Sequence, residues 1–84
     1  MANDFFETLK GIKAFAFDVD GVWTDGQLMI LEDGSELRSM YVKDGYAAKK
    51  ALEEQLRIVI ISGKTSEGVR QRFESLGIED IFLN

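Results

Sequence analysis

Apolar residues in this chain fall into short dense blocks separated by polar turns. Ile12 to Phe17, broken only by Lys13, is a run of the kind that forms a strand buried on both faces, as in parallel sheets. It ends abruptly in Asp18 and Asp20, and Gly21 follows. A second such run, Arg57-Ile58-Val59-Ile60-Ile61, ends in Ser62-Gly63-Lys64, and residues 78–83 lead into a third short strand. Between the first two runs, residues 27–31 read as a strand, Glu32-Asp33-Gly34-Ser35 as a hairpin turn cued by Asp-Gly, and 36–42 as the return strand. Ala47, Ala48, Ala51, Leu52 and Leu56 form the stripe of a helix capped by Asp44, with Lys49, Lys50, Glu53 and Glu54 on its solvated face. A second helix over about 65–76 places Val69, Phe73 and Leu76 on one side, and Gly77 ends it. Asn3 or Asp4 caps a short helix to about Lys10, with Phe5, Phe6 and Leu9 inward. Strands alternating with helices make this an α/β chain with a parallel sheet and a hairpin, about 26–42, inserted after the first strand.

In open parallel sheets, ligands sit beyond the carboxyl ends of the strands, where Asp18 and Asp20 fall. Alternation along an extended chain sends both side chains to the same side. Two carboxylates so close share a cation, or one of them keeps its proton. Mg2+ takes oxygen ligands, often one or two carboxylates together with phosphate oxygens. An ionised Asp can attack phosphorus while a protonated neighbour serves the leaving oxygen. A bare Asp-x-Asp pair more often just ends a strand; the buried run before it and Gly-Val-x-Thr-Asp-Gly after it favour chemistry. The helix-loop-helix calcium pattern fails, because its fifth, sixth and twelfth positions would be Val22, Trp23 and Met29. Ser62 and Gly63 at a strand end, with a helix starting at about Thr65, suit a phosphate: hydroxyl, backbone N–H groups and the positive helix end all point at the anion.

Composition narrows the choices. Eighty-four residues allow one domain with a thin core. With no histidine and no cysteine, catalysis is left to carboxylates, hydroxyls and lysines, and disulfides and thiolate metal sites are excluded. A net charge of −5 argues against a nucleic-acid surface. No stretch reaches the roughly 20 apolar residues of a membrane span, and no secretory signal opens the chain, so the expected compartment is the cytoplasm.

The run Asp18-Val19-Asp20-Gly21-Val22 with Thr24-Asp25-Gly26 resembles the first motif of the haloacid dehalogenase superfamily of phosphatases. More narrowly it resembles the capless branch that contains 3-deoxy-D-manno-octulosonate 8-phosphate phosphatase and nonulosonate phosphatases. Ser62, by its spacing, resembles the second motif. The resemblance implies a Rossmann-like core with a hairpin flap beside the active site, and flaps joined in a homotetramer. It implies a Mg2+-dependent phosphatase acting on a phosphorylated keto-sugar acid through an aspartyl-phosphate. Asp18 would be the nucleophile, Asp20 the acid and then the base, and Ser62 the phosphoryl-binding hydroxyl. Asp18 by its side chain and Asp20 by its backbone carbonyl would hold the metal. Gly21, Gly63, Lys64, Lys43 and Arg72 would contact substrate. Lys43 stands where the branch has the Arg of Arg-Asp-Gly, and Lys64 where it usually has the Arg of Thr-Gly-Arg; a lysine there lacks the bidentate fork. Trp23 leans toward the nonulosonate type and the basic Lys64 toward the octulosonate type.

The same resemblance implies that residues 1–84 are the N-terminal half of such a domain. The third-motif lysine and the fourth-motif acids lie outside them, so the chain alone is expected to be inactive and to expose an apolar sheet edge and face. Two other readings stand beside this one: a non-catalytic half-domain that assembles or binds through its hairpin, and a phosphotransferase on the same core.

Overall fold

A computed structural model describes Glu7 and residues 10–84. The expected N-terminal helix, with Phe5, Phe6 and Leu9, lies outside the described residues. Strand β1 is Ala14–Phe17, β2 Met29–Ile30 and β3 Glu36–Leu37; helix α1 is Val42–Glu53, followed by β4 Arg57–Ser62, helix α2 Glu67–Ser75 and β5 Asp80–Leu83. Strands β1, β4 and β5 form a parallel sheet in the order β1-β4-β5. Phe17 lies opposite Ile60, and Ser62 opposite Leu83. The strands β2 and β3 pair antiparallel as a separate ribbon.

Both helices cover one face of this sheet. Ile58, Ile60 and Ile81 point to that face and are buried with Ala48 of α1 and with Val69, Phe73, Leu76 and Ile78. Small residues bring the helices together: a Cβ on Gly45 would lie 2.6 Å from the Arg72 guanidinium, and one on Gly77 would lie 3.5 Å from Leu52. Trp23 joins the loop after β1 to the same core, edge-on to Phe17 at 5.4 Å and to Phe73 at 5.0 Å. Full burial of side chains such as Phe73 and Ile60 stabilises by about 1.5–3 kcal/mol each.

The strand β1 was expected to be buried on both faces, and it is not. Among the described residues it pairs with β4 alone, and Ala14, Phe15 and Ala16 are exposed. The face away from the helices is also open at Ile61 and Phe82, which are 54% and 60% exposed.

Local chemistry explains the helix ends. The helix α1 begins earlier than the Asp44 cap suggests: Tyr41 is the N-cap, without a side-chain bond, and Asp44 sits in the first turn, where a carboxylate complements the positive end. The helix α2 begins later than Thr65, because the Ser66 hydroxyl accepts from the Val69 N–H and caps it. It ends as expected at Gly77, whose φ is +94°. The N–H groups of Gly77 and Ile78 return to Glu74 and Phe73, a Schellman closure.

Candidate active site

The parallel pairing of β1 and β4 places the ends of both strands at one edge of the sheet. With Phe17 opposite Ile60, the register carried forward brings Asp18 within one residue of Ser62 on adjacent strands, which run about 4.8 Å apart. The loop from Asp18 to Gly26 then closes on itself. The N–H groups of Val22, Trp23 and Thr24 all point to the Val19 carbonyl, at 3.1, 2.9 and 3.3 Å. The Thr24 hydroxyl, on a side chain buried inside the loop, accepts from Gly21 N–H at 3.2 Å and Gly26 N–H at 3.1 Å. Gly21 has φ +83°, a left-handed conformation that a β-carbon would strain. The Asp25 carboxylate accepts from Gln27 N–H at 3.0 Å.

Asp18 is exposed, and its Oδ1 accepts from Val19 N–H at 2.7 Å, which leaves Oδ2 without a hydrogen bond among the described residues. Asp20 is half-buried, and its Oδ1 accepts from Arg38 Nε at 2.8 Å. Across the sheet edge, the Ser62 hydroxyl accepts from Lys64 N–H at 3.3 Å, so Ser62, Gly63 and Lys64 form a small turn beyond β4. Lys64 Nζ reaches 4.0 Å from Glu36, and Glu36 also takes Arg38 Nη2 at 3.3 Å. A chain of alternating charge, Asp20, Arg38, Glu36 and Lys64, thus links the two strand ends through the hairpin. The positive end of α2 stands farther from Ser62 than expected, and one of its N–H groups is already taken by Ser66.

Two of the substrate-binding candidates, Lys43 and Arg72, make no hydrogen bond or ion pair with Asp18 or Asp20 among the described residues. Lys43 is exposed in the first turn of α1. The Arg72 guanidinium lies against Gly45 and lines a cavity of about 410 Å³ between the hairpin and α2, with Glu36, Arg38, Ser66 and Val69.

No protein-family model matches the chain. Over 77 residues, 92% of its length, it is 38% identical to 3-deoxy-D-manno-octulosonate 8-phosphate phosphatase KdsC of Haemophilus influenzae, of which it covers 43%. A crystal structure of that phosphatase from Moraxella catarrhalis, in complex with magnesium ion, phosphate ion and KDO, matches with a TM-score of 0.89 and 35% identity, over 99% of this chain and 48% of that one. A structure assigned as a HAD superfamily (subfamily III A) hydrolase, from Legionella pneumophila, matches with a TM-score of 0.89 and 36% identity, over 98% of this chain and 45% of that one. Over nearly its whole length the chain is similar to part of a haloacid dehalogenase superfamily hydrolase and of this phosphatase. It spans a little under half the length of the relatives it matches.

Within this core, the metal question turns on oxygen donors. Among the described residues, no group of three or more acidic or other metal-ligating side chains converges. Asp18 offers a carboxylate with one unbonded oxygen, and the Asp20 carbonyl accepts no hydrogen bond among the described residues. That pair suits part of an oxygen shell around Mg2+, which commonly uses few protein carboxylates.

Sequence reasoning missed three residues of this site. Thr24 was read as part of a motif, yet its hydroxyl is the internal anchor of the loop. Trp23 was read as a marker of substrate type, and it is a core side chain whose indole N–H has no partner among the described residues. Arg38 was not singled out at all; its partner Asp20 lies eighteen positions away, and no local pattern announces the pair.

Proposed function

We propose that this chain is part of a Mg2+-dependent phosphatase that hydrolyses the phosphate monoester of a keto-sugar acid. The substrate class is 3-deoxy-D-manno-octulosonate 8-phosphate or a nonulosonate 9-phosphate. The observation that carries the reading is the pairing of β1 with β4, which sets an acid loop beside a hydroxyl turn at the carboxyl edge of the sheet. The relatives' names supply the substrate class.

In this reading Asp18 attacks phosphorus through its carboxylate. As that bond forms, the bond from phosphorus to the sugar oxygen breaks, and the oxygen takes its electron pair and the Asp20 proton. Asp20 then removes a proton from water, the water oxygen bonds to phosphorus, and the Asp18 carboxylate departs, which restores both acids. Ser62 and the N–H group of Gly63 hold phosphoryl oxygens, Gly21 lets the backbone approach them, and Lys64, Lys43 and Arg72 serve the anionic substrate. Asp18 by its side chain and Asp20 by its carbonyl would hold Mg2+, which when bound offsets phosphate charge.

The 84-residue chain by itself is expected to turn over little, because among the described residues no group of three or more acidic side chains gathers to hold the metal. The test uses the full-length protein with Mg2+ and phosphorylated eight- and nine-carbon keto-acids. Asp18→Asn is expected to lower phosphate release on the order of 10⁴-fold or more. Near-normal release by that variant would remove Asp18 as nucleophile, and with it this mechanism.

A second role is carried by the hairpin. Met29, Ile30 and Leu37 are 49–69% exposed, an apolar surface for other copies of the chain. We place the hairpin as a flap that joins a homotetramer, and the protein in the cytoplasm; no helix among the described residues is long and apolar enough to cross a membrane.

A further inference from the structure

We propose that Arg38 is a positioning residue of this site: it grips one oxygen of Asp20 and leaves the other directed to the leaving group. The inference rests on the acid–base role given to Asp20 above. Arg38 follows β3 on the hairpin, and its side chain is only 7% exposed. An arginine this buried is almost always paired. Here it lies between two carboxylates, with Nε on Asp20 Oδ1 at 2.8 Å and Nη2 on Glu36 Oε2 at 3.3 Å.

The form of the contact is informative because the same molecule holds a contrasting one. At the opposite end of the sheet, Arg57 grips Asp80 with both prongs, Nε on Oδ2 at 2.8 Å and Nη2 on Oδ1 at 3.0 Å. That fork saturates the carboxylate and suits a purely structural pair. Arg38 does not use its fork on Asp20. It spends one donor there and turns the other to Glu36, so Asp20 Oδ2 makes no hydrogen bond among the described residues. A carboxylate held at one oxygen has a set orientation and still has an oxygen with which to carry a proton. Because Arg38 sits on the hairpin, the orientation of the acid depends on where that hairpin lies, and Glu36 with Lys64 ties the hairpin to the turn beyond β4.

The competing role is a simple strut between hairpin and loop, and leaving-group dependence separates the two. A sugar alkoxide needs a proton as it departs, whereas p-nitrophenolate does not. The experiment measures kcat/KM, which reports the step in which the leaving group departs, in the full-length protein with Mg2+. Substrates are the sugar-acid phosphate and p-nitrophenyl phosphate; variants are Arg38→Ala, Arg38→Gln, Arg38→Lys and, for reference, Asp20→Asn. Arg38→Ala and Arg38→Gln are expected to lower kcat/KM on the sugar phosphate by about 10–100-fold and on the aryl phosphate by less than about threefold. Arg38→Lys is expected to recover part of the loss on the sugar phosphate. Arg38→Gln keeps much of the side-chain stem, so it reads the same ratio if the alanine variant does not fold. Equal losses on both substrates, or no loss on either, overturn the proposal. If Asp20→Asn fails to discriminate between the substrates, the acid–base reading falls first; if it discriminates and the Arg38 variants do not, only the Arg38 inference falls.

Discussion

The loop over residues 18–26 and the hairpin that follows it both stand beside the carboxyl edge of the sheet, yet they are held in different ways. The loop is bonded to itself, through three N–H groups on the Val19 carbonyl and two on the Thr24 hydroxyl, and Trp23 roots it among Phe17 and Phe73. The hairpin has a ladder of only two residue pairs and exposes apolar side chains on Met29, Ile30 and Leu37. Among the described residues, its side-chain ties to the rest of the molecule include Arg38 to Asp20 and Glu36 to Lys64. The acids are thus carried by a segment that holds its own shape, and the hairpin beside them is tied to Asp20 and Lys64 by a few charges. A two-stranded ribbon is marginal alone, so the hairpin gains order from what it lies against.

Removing the loop's internal anchor is the strongest way to break this contrast. Thr24→Val keeps the shape of the side chain and deletes the acceptor of two N–H bonds. A buried donor left unpaired costs about 1–3 kcal/mol; Gly21 and Gly26 lie near water, so the expected loss is about 1–2 kcal/mol in all. Urea denaturation of the full-length protein measures it, and Thr24→Ser should restore most of the stability. An unchanged midpoint in the valine variant would mean that the loop does not depend on this hydroxyl.

How far the sequence exposed these features depends on the range of the interaction. The apolar runs that became β1, β4 and β5, and the acids and hydroxyl at their ends, were legible because an apolar run and its polar terminus are local patterns, although the burial expected of β1 was not found. The same holds for Gly77, whose left-handed turn closes α2. The start of α2 was read two residues early, since Thr65 and Ser66 are both fit to cap a helix and only the bond to Val69 decides between them. Arg38 was illegible because a strand position that carries a cation looks like an outward-facing one; its burial against Asp20 exists only in three dimensions. Trp23 was visible but its packing role was not, because an aromatic beside a motif looks like a specificity residue until Phe73 is seen against it.

Surface changes on the hairpin sharpen the comparison from the other side. Met29→Ser with Leu37→Ser removes two exposed side chains, so the stability of the fold should stay within about 0.5 kcal/mol of the parent. Sedimentation should nonetheless show smaller assemblies, if the apolar ribbon is the contact between copies. An unchanged sedimentation coefficient would remove the ribbon as that contact. A stability loss as large as that of Thr24→Val would instead show that the hairpin is packed against its own fold.

The smallest effect expected is on the hairpin turn as pH falls. The Asp33 carboxylate accepts from Ser35 N–H at 2.9 Å, and the side-chain and backbone hydrogen bonds of Ser35 hold its pKa below the usual value of 3.8. A group whose pKa is lower in the folded state stabilises that state above its unfolded pKa, and the stabilisation disappears as pH falls through the folded value. The turn should therefore keep full protection of the Ser35 amide at neutral pH and lose it at a pH below 3.8. The acid loop is anchored by a hydroxyl that does not titrate there, so the Gly26 amide, bonded to Thr24, should keep its protection across the same range. Amide hydrogen exchange corrected for intrinsic rates reads both positions in one sample. Parallel loss at Ser35 and Gly26 would mean that the two segments open together, which the separate bonding of loop and hairpin does not allow.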